Sequence, residues 1–253
     1  MKVLYFDLEH GSQSLGSKKD VQELFGYPTL EPGTWNQFQS TVGKLYKEET
    51  TSVEIPIGDT TISEERTSVV PRNGTVIHGI ILDTFSELSK KYMRSISDKD
   101  GKMRIQGWGQ LKNKLDAALE FVSRVPGLVI CNCHSKVQTM DECNKIIPYI
   151  DGSTKEDISK WFDFVFYTKT VLKKNGERDY VWVTKRCEIY DHAKDRTNLL
   201  PAQIPQDYQL VLEAANTKGF DGIKILVIGA PGSGKTLSLK TLKQGGSNEN
   251  TND

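Results

Sequence analysis

The sequence lacks long apolar runs, an excess of charge of either sign and closely spaced cysteine pairs. No stretch approaches the roughly 20 apolar residues that span a bilayer. Acidic residues interrupt the apolar start of the chain, so no signal peptide is predicted. Lys+Arg and Asp+Glu each number 33, which argues against an overall basic surface that coats DNA but leaves room for a local basic groove. We therefore expect a soluble, cytoplasmic protein without a membrane partner.

The four cysteines form no CxxC pair, and no second cluster of metal ligands lies at zinc spacing. In the run CNCH (131–134), the alternation of a strand would place Cys131 and Cys133 on one face and His134 on the other. Buried, reduced thiols are therefore favoured over a metal site.

Short apolar runs alternate with amphipathic segments along the chain. The patterns predict strands at 2–9, 75–84, 128–134 and 223–229, and helices at 34–46, 107–127, 204–219 and 235–244. The Asn-Gly turn inside 161–186 predicts an antiparallel hairpin, and 51–70 is typical of a hairpin or an extended excursion. We therefore expect an α/β fold with a mainly parallel central sheet, helices on both faces and an antiparallel edge hairpin.

The chain contains no internal repeat and no Pro- or Ser-rich linker that would divide it. The expected organisation is one domain over 1–253. Within it, 12–75 has the character of an insertion, and 245–253 is predicted to be a flexible tail.

The segment GAPGSGKT (229–236) matches the phosphate-loop pattern G-x-x-x-x-G-K-[ST] at each fixed position, between an apolar strand and a helix. Its glycines allow backbone N–H groups to turn toward phosphate oxygens, Lys235 adds a charge at the β and γ phosphates, and Thr236 offers a hydroxyl to Mg²⁺. We expect ATP and Mg²⁺ here, and the lack of a distal Asn-Lys-x-Asp motif weakly favours ATP over GTP. The predicted cofactor contacts are Gly229, Ala230, Pro231, Gly232, Ser233, Gly234, Lys235, Thr236 and Leu237.

Hydrolysis also requires an acid for the metal and a group that activates the attacking water. Asp83 ends the apolar run HGIILDT in the form of a Walker B strand, and Glu9 ends LYFDLEH. Both should lie at the carboxyl edge of the parallel sheet, where ligands bind in such folds.

These segments resemble a known family. LYFDLEHGSQSL is similar to the strand-to-loop element of RecA-type recombinases, GIILDTFSEL resembles their Walker B strand, and LVICNCH matches the strand that follows. The resemblance implies that Glu9 activates water, that Asp83 binds the metal with Thr236, and that His134 senses the γ-phosphate, so that Glu9, Lys235 and His134 form the catalytic set. Longer segments resemble a phage-encoded branch of RecA-like ATPases, described as phage nucleotide-binding or single-strand-annealing recombinase proteins.

The order of the motifs departs from that family, in which the phosphate loop comes first. Here it follows the Glu strand and the Walker B strand, so a RecA-like P-loop fold in circularly permuted order is expected, with strands 223–229 and 2–9 near each other in one chain. Alternatively, the chain is a fragment, or its phosphate loop completes the site of a neighbouring subunit.

The resemblance also implies partners. RecA-like ATPases form head-to-tail homo-oligomers in which a basic residue reaches the next subunit's γ-phosphate, and the candidates are Lys185, Arg186, Lys194 and Arg196. Single-stranded DNA would contact 135–160, with Lys136, Lys145, Lys155, Lys160 and Tyr149, or the mobile basic segment 90–104. The function expected is a DNA-stimulated ATPase of phage recombination or annealing. The alternatives are a regulatory or assembly module with slow or no turnover and a protein partner, and a small-molecule kinase.

Overall fold

The computed structural model describes residues 2–140 and 143–243. The predicted tail at 245–253 lies outside the described residues. The strands are β1 (Val3–Asp7), β2 (Tyr46–Ile57), β3 (Thr60–Pro71), β4 (Gly79–Asp83), β5 (Leu128–Met140), β6 (Cys143–Pro148), β7 (Phe164–Leu172), β8 (Arg178–Val183), β9 (Lys194–Asp195), β10 (Gln203–Pro205) and β11 (Ile223–Gly229).

The helices lie between these strands. They are α1 (Lys18–Phe25), α2 (Trp35–Leu45), α3 (Phe85–Ile96), α4 (Ile105–Arg124), α5 (Thr154–Asp157), α6 (Tyr208–Thr217) and α7 (Lys235–Ser238), with 3-10 helices at Gly11–Ser14, Arg72–Gly74, Ile158–Trp161 and Leu239–Lys243. In the part of the chain that the structure describes, no helix combines the length and apolarity needed to cross a bilayer.

The central sheet has nine strands, with the order β1-β4-β5-β11-β7-β8-β10, β6 paired to β5 and β9 paired to β7. The first five strands of this order are parallel to one another. The other four strands are antiparallel to the strands they pair with: β6 to β5, β8 and β9 to β7, and β10 to β8. The register places Asp7 opposite Asp83, Asp83 opposite Asn132 and Gly229 opposite His134. The carboxyl ends of β1, β4 and β11 therefore lie along one edge of the sheet, level with His134, where the parallel part of β5 ends.

Two apolar clusters cover the two faces of this sheet. Alternate residues of β1 divide between them, with Leu4 and Phe6 in one cluster and Val3 and Tyr5 in the other. Helices α2, α3 and α4 contribute to the first cluster, and α1 and α6 contribute to the second. The mainly parallel α/β sheet with helices on both faces, predicted from the alternating runs, is confirmed.

Several boundaries differ from those predicted. The helix expected from residue 204 begins at Tyr208, because residues 203–205 pair with β8 as β10 and the Asp207 carboxylate accepts the Gln209 N–H at the helix start. The strand expected at 128–134 continues to Met140 because it pairs with β6. The helix predicted after the phosphate loop is α-helical only over α7 and continues as a 3-10 helix.

The region 12–75 contains α1, α2 and a separate two-stranded sheet of β2 and β3, which we call the arm (residues 46–71). Of the two interpretations of 51–70, the hairpin is therefore the one observed. Tyr46 and Val69 are buried at its base, whereas the side chains from 47 to 68 are exposed or half-exposed. The Arg124 guanidinium at the end of α4 bonds the Glu48 carboxylate at 2.6 Å, so the arm contacts the body through its base.

Candidate active site

The loop between β11 and α7 depends on glycine at three positions. Gly232 and Gly234 have φ angles of 73° and 90°, in the left-handed region that side chains disfavour. A Cβ on Gly234 would lie 2.5 Å from the Gln206 amide oxygen, and a Cβ on Gly229 would overlap the Thr168 hydroxyl. Backbone conformation and close packing therefore both explain this part of the motif.

Neighbouring elements hold the loop through Ser233. Thr168 Oγ1 in β7 donates to Ser233 Oγ at 2.8 Å, and Gln206 Nε2 donates to the Ser233 carbonyl at 3.0 Å. The Ser233 N–H donates to the Ala230 carbonyl at 3.2 Å. Ala230 and Pro231 are exposed.

The Lys235 side chain is buried within the loop. Its Nζ donates to the carbonyls of Gly229 at 2.9 Å and Ala230 at 3.0 Å. Burial lowers the pKa of Lys235, and the negative charges of Asp83 and Glu9 partly oppose that shift. The ammonium group therefore lies where phosphate oxygens bound by the loop N–H groups would meet it.

A second polar contact joins the start of α7 to the end of β4. Thr236 Oγ1 donates to Asp83 Oδ2 at 2.7 Å, and Asp83 also accepts from Asn132 Nδ2 at 3.0 Å and from the Tyr5 hydroxyl at 3.1 Å. Burial raises the pKa of Asp83, while the hydrogen bonds from Asn132 and Thr236 act in the opposite direction.

The Thr236 hydroxyl and the Asp83 carboxylate are hard oxygen donors of the kind that Mg²⁺ prefers. Across residues 2–140 and 143–243, no group of three or more His, Cys, Asp or Glu side chains could hold a metal ion. Mg²⁺ at this position would therefore take most of its ligands from phosphate oxygens and water, as it does with nucleotide substrates. Cys131 and Cys133 are buried in the core as expected, and burial raises the pKa of Cys131.

Glu9 follows β1 and points toward the end of β5. Its Oε2 lies 2.6 Å from His134 Nε2, and Thr84 Oγ1 donates to the same oxygen at 3.4 Å. Burial acts to raise the pKa of Glu9, but the hydrogen bond and charge of His134 and the charge of Lys235 outweigh it and lower the pKa below its usual value. Glu9 is therefore an ionised acceptor at neutral pH.

Asp7 shapes the turn that presents Glu9, a role that the sequence patterns did not predict. Its buried carboxylate accepts the N–H groups of Gly11 and Ser12, each at 2.9 Å. This turn packs against α7, because a Cβ on Gly11 would lie 3.5 Å from Thr236 Oγ1. The sequence signal that could have indicated this role is the position of Asp7, an acid inside the apolar run of β1 and two positions before Glu9.

One cleft of about 390 Å³ collects these groups. It is lined by Glu9, Gly11, Ser14, Tyr180, Pro231, Gly232, Gly234, Lys235, Thr236 and Leu237. Residues from the two ends of a single chain thus line the same cleft. The expectation that strands 223–229 and 2–9 lie near each other needs correction, because β4 and β5 separate β11 from β1. Tyr180, on β8, was not singled out from the sequence, since an aromatic residue in a strand is ordinary there.

The four basic residues proposed to reach a neighbouring subunit differ in their surroundings. Lys185 and Arg196 form salt bridges of 3.2 and 2.7 Å with nearby aspartates, and Lys194 Nζ donates to two backbone carbonyls. Arg186 is exposed and makes no hydrogen bond or salt bridge to the residues that the structure describes.

Among the residues proposed for DNA contact, Tyr149 belongs to a cluster with two lysines. Lys90 Nζ and Lys136 Nζ lie 5.0 and 5.2 Å from the centre of its ring. The Tyr149 N–H donates to the His134 carbonyl at 2.7 Å. The Tyr149 backbone of this cationic aromatic cluster is therefore bonded to His134, the residue of β5 that contacts Glu9.

The other DNA candidates are more dispersed. Lys145 pairs with Asp191 at 3.2 Å, Lys160 lies over the ring of Trp161, and Lys155 lines a separate small cleft. The basic segment 90–104, expected to be mobile, is helical as far as Ile96, because 90–96 form the last turns of α3.

Comparison with known proteins gives one match. A family model described as an AAA domain matches residues 1–197. That range contains Glu9, Asp83 and His134 and ends before the phosphate loop at 229–236. The loop is therefore identified by its own sequence pattern and geometry. No curated protein and no solved structure matches the chain.

Proposed function

The chain belongs to the AAA domain family, and from this premise we propose that it binds ATP with Mg²⁺ in the cleft beside the phosphate loop and hydrolyses it. The observation that carries the proposal is the meeting of Glu9, Lys235 and the Thr236–Asp83 pair at one cleft. Phosphate release under multiple turnover, with Lys235→Ala as the comparison, tests it. Equal release by both proteins would reject it.

The proposed mechanism assigns each side chain a distinct role. The loop N–H groups and Lys235 bind the β and γ phosphates, and bound Mg²⁺ would neutralise phosphate charge beside Thr236 and Asp83. The Glu9 carboxylate accepts a hydrogen bond from water and directs its oxygen at the γ-phosphorus. The water oxygen bonds to the γ-phosphorus and its proton passes to Glu9, while the bond from phosphorus to the β–γ bridging oxygen breaks, giving ADP and phosphate. His134 acts as a positioning residue through its 2.6 Å contact with Glu9.

Tyr180 supplies the aromatic surface of the cleft, and we assign it to contact with the nucleobase. Its ring is 41% exposed, so stacking on a base would cover apolar area that now faces water. Tyr180→Ala should weaken ATP binding, while Tyr180→Phe should retain it. Equal ATP affinity of the alanine variant and the parent would show that Tyr180 does not contact the nucleotide.

We also propose that the domain has a circularly permuted RecA-like order. The sheet order supports this, because the phosphate-loop strand β11 lies beside β5 and the Walker B strand β4 follows, while β11 comes last in sequence. A gene re-opened before Lys224, with Asp253 joined to Met1, should yield a protein that folds and binds ATP like the parent. Closing a loop of roughly ten polar residues has a modest entropic cost. Failure of that protein to fold would contradict the permutation.

Single-stranded DNA is the proposed activator, in phage recombination or annealing. The proposal is supported by the cluster of Tyr149, Lys90 and Lys136, which combines a stacking surface with positive charge. The Tyr149 N–H bonds the carbonyl of His134, the residue that contacts Glu9. DNA should raise turnover, and binding should weaken steeply with salt. Tyr149→Ala should lower the stimulation but leave the basal rate unchanged. The matched control is Trp108→Ala, at an exposed aromatic residue outside both proposed DNA segments.

A regulatory module with slow or no turnover is the second candidate. It is favoured by the hydrogen bonds that the site residues make within the protein itself. Lys235 bonds loop carbonyls, and Glu9 bonds His134. The net charge of zero also agrees with a protein partner. Tight ATP binding without phosphate release, with or without DNA, would select this candidate.

A further inference from the structure

The arm presents two chemically different faces near its tip. Paired residues of an antiparallel ladder share a face, and the register pairs Val53 with Glu64, Ile55 with Ile62 and Ile57 with Thr60. One face therefore carries Val53, Ile55, Ile57 and Ile62, together with Thr60 and Glu64. Hydroxyl and carboxylate side chains dominate the other, where Thr50 and Thr67 are bonded at 3.0 Å.

The apolar face is not covered by the described part of its own chain. Ile57 and Ile62 are 57% and 45% exposed, although isoleucine is usually buried. An isolated two-stranded hairpin is marginally stable in water, and its outer edges present unpaired backbone groups. An arm of this length with an apolar face therefore has the properties of an interaction surface.

An apolar groove of about 280 Å³ lies between α2 and α4, near the base of the arm. It is lined by Trp35, Phe38, Gln39, Val42, Gly43, Lys114, Ala117, Ala118, Phe121 and Val122. Two contacts make the groove continuous with the base. The rings of Tyr46 and Phe121 are 6.2 Å apart, and Arg72 Nε donates at 2.8 Å to the carbonyls of Gly43 and Tyr46.

The charges at the two ends of the arm are complementary. The arm contains two basic residues and six acidic ones, of which Glu54, Asp59, Glu64 and Glu65 lie toward the tip. Lys44 and Lys114 are exposed beside the groove. The tip is therefore acidic and apolar, and the groove is apolar with a basic border.

We propose that the apolar tip of one copy's arm occupies the α2–α4 groove of a second copy. The arm cannot fill its own groove, because its ladder is continuous over all pairs from Tyr46–Pro71 to Ile57–Thr60. A strand of that length holds its tip roughly 40 Å from its base at about 3.3 Å per residue. Arm-to-arm packing would bring the acidic tips together, so the groove is the better site.

Each copy carries one arm and one groove, so the contact is either reciprocal in a dimer or repeated around a ring. The arm leaves the body near the end of α4, just before β5 begins at Leu128, whereas the active-site cleft lies at the opposite edge of the parallel strands, near His134. The association is therefore independent of the proposed ATPase function. Its loss would leave ATP binding to the separate protein intact.

Disulfide trapping between two proteins that each carry one accessible cysteine, besides the buried Cys131 and Cys133, tests the contact. In a background with Cys143→Ser and Cys187→Ser, one protein carries Ile57→Cys and the other carries Gln39→Cys. Mixing them under mild oxidation should give a mixed disulfide dimer. Thr61→Cys, at the tip but on the opposite face, is the matched control and should give little. Ile57→Cys dimers without the mixed product would show that arms pair with arms and would overturn the proposal.

Light scattering against concentration gives an independent readout. Ile57→Ser with Ile62→Ser should raise the dissociation constant at least about tenfold, as should Ala117→Glu in the groove, whereas Thr61→Ser should not. These positions are exposed, so circular dichroism should show unchanged folding. A parent protein that is monomeric at every concentration, or tip and groove variants that associate as the parent does, would refute the proposal. Association that needs an added protein would identify a different occupant and would overturn it as well.

Discussion

Glu9→Gln separates the proposed chemistry from binding. The glutamine preserves the volume of the side chain and can still bond His134, but it has no carboxylate to accept a proton from water. Glu9 is 27% exposed and lies in a turn held by Asp7, so the substitution should leave the turn in place. The change therefore acts on the reaction more than on the fold.

The expected decrease in the rate of hydrolysis follows from the proposed role of Glu9 as a general base. Removal of a general base typically lowers a rate by about 10²–10⁴-fold, which corresponds to roughly 2.7–5.4 kcal/mol in the barrier. Nucleotide affinity should be retained or rise slightly, because Lys235 loses a nearby negative charge that now competes with phosphate. Loss of activity with intact binding is thus the signature of Glu9 as the base.

The assay combines an ATP titration with phosphate release, for the parent, Glu9→Gln and the exposed control Glu23→Gln. The control should match the parent in both measurements. If Glu9→Gln releases phosphate at the parent rate, Glu9 does not activate water. If it instead fails to bind ATP, the contact with His134 is structural and the assignment of the base is wrong.

Three further substitutions address the rest of the site. Lys235→Ala should weaken ATP binding at least about tenfold in a titration, since hydrogen bonds to charged groups contribute about 1.5–3 kcal/mol; unchanged affinity would contradict the phosphate loop. Asp83→Asn should weaken binding only when Mg²⁺ is present, and an equal loss in EDTA would indicate a structural role. Arg186→Ala should lower turnover, and mixing it with Lys235→Ala should restore activity if Arg186 acts on a neighbouring subunit; no recovery would place it elsewhere.

The sequence predicted the parts of the fold that depend on local patterns. The buried strands and the phosphate loop have strong periodic or motif signals, and the acids Glu9 and Asp83 end recognisable apolar runs. The extension of β5 could not be predicted in this way, because residues 135–139 are half-exposed or exposed and are held by pairing with β6. β10 was not predicted, because three residues carry too little pattern to outweigh the helical segment that follows.

The supporting residues of the site were not predictable for a similar reason. Asn132 donates to Asp83 across the sheet, and Thr168 and Gln206 hold Ser233 from distant points of the chain. Such contacts depend on strand order, which no local pattern encodes. Tyr180 was not singled out either, because an aromatic residue is ordinary in a strand. The acid Asp7 inside an apolar run is a signal, but the backbone groups that it binds are known only from the structure.

The position of β11 has a consequence for synthesis on the ribosome. This strand is the last in the described chain, yet it pairs with β5 on one side and β7 on the other. Until residues 223–229 leave the ribosome, β5 and β7 each have an unpaired edge, and the sheet exists as two separate parts. Such edges favour aggregation and chaperone binding. Strand β11 therefore joins the two parts of the sheet and delivers the phosphate loop in a single event, so that a nascent chain gains this loop in place only when the two parts are joined.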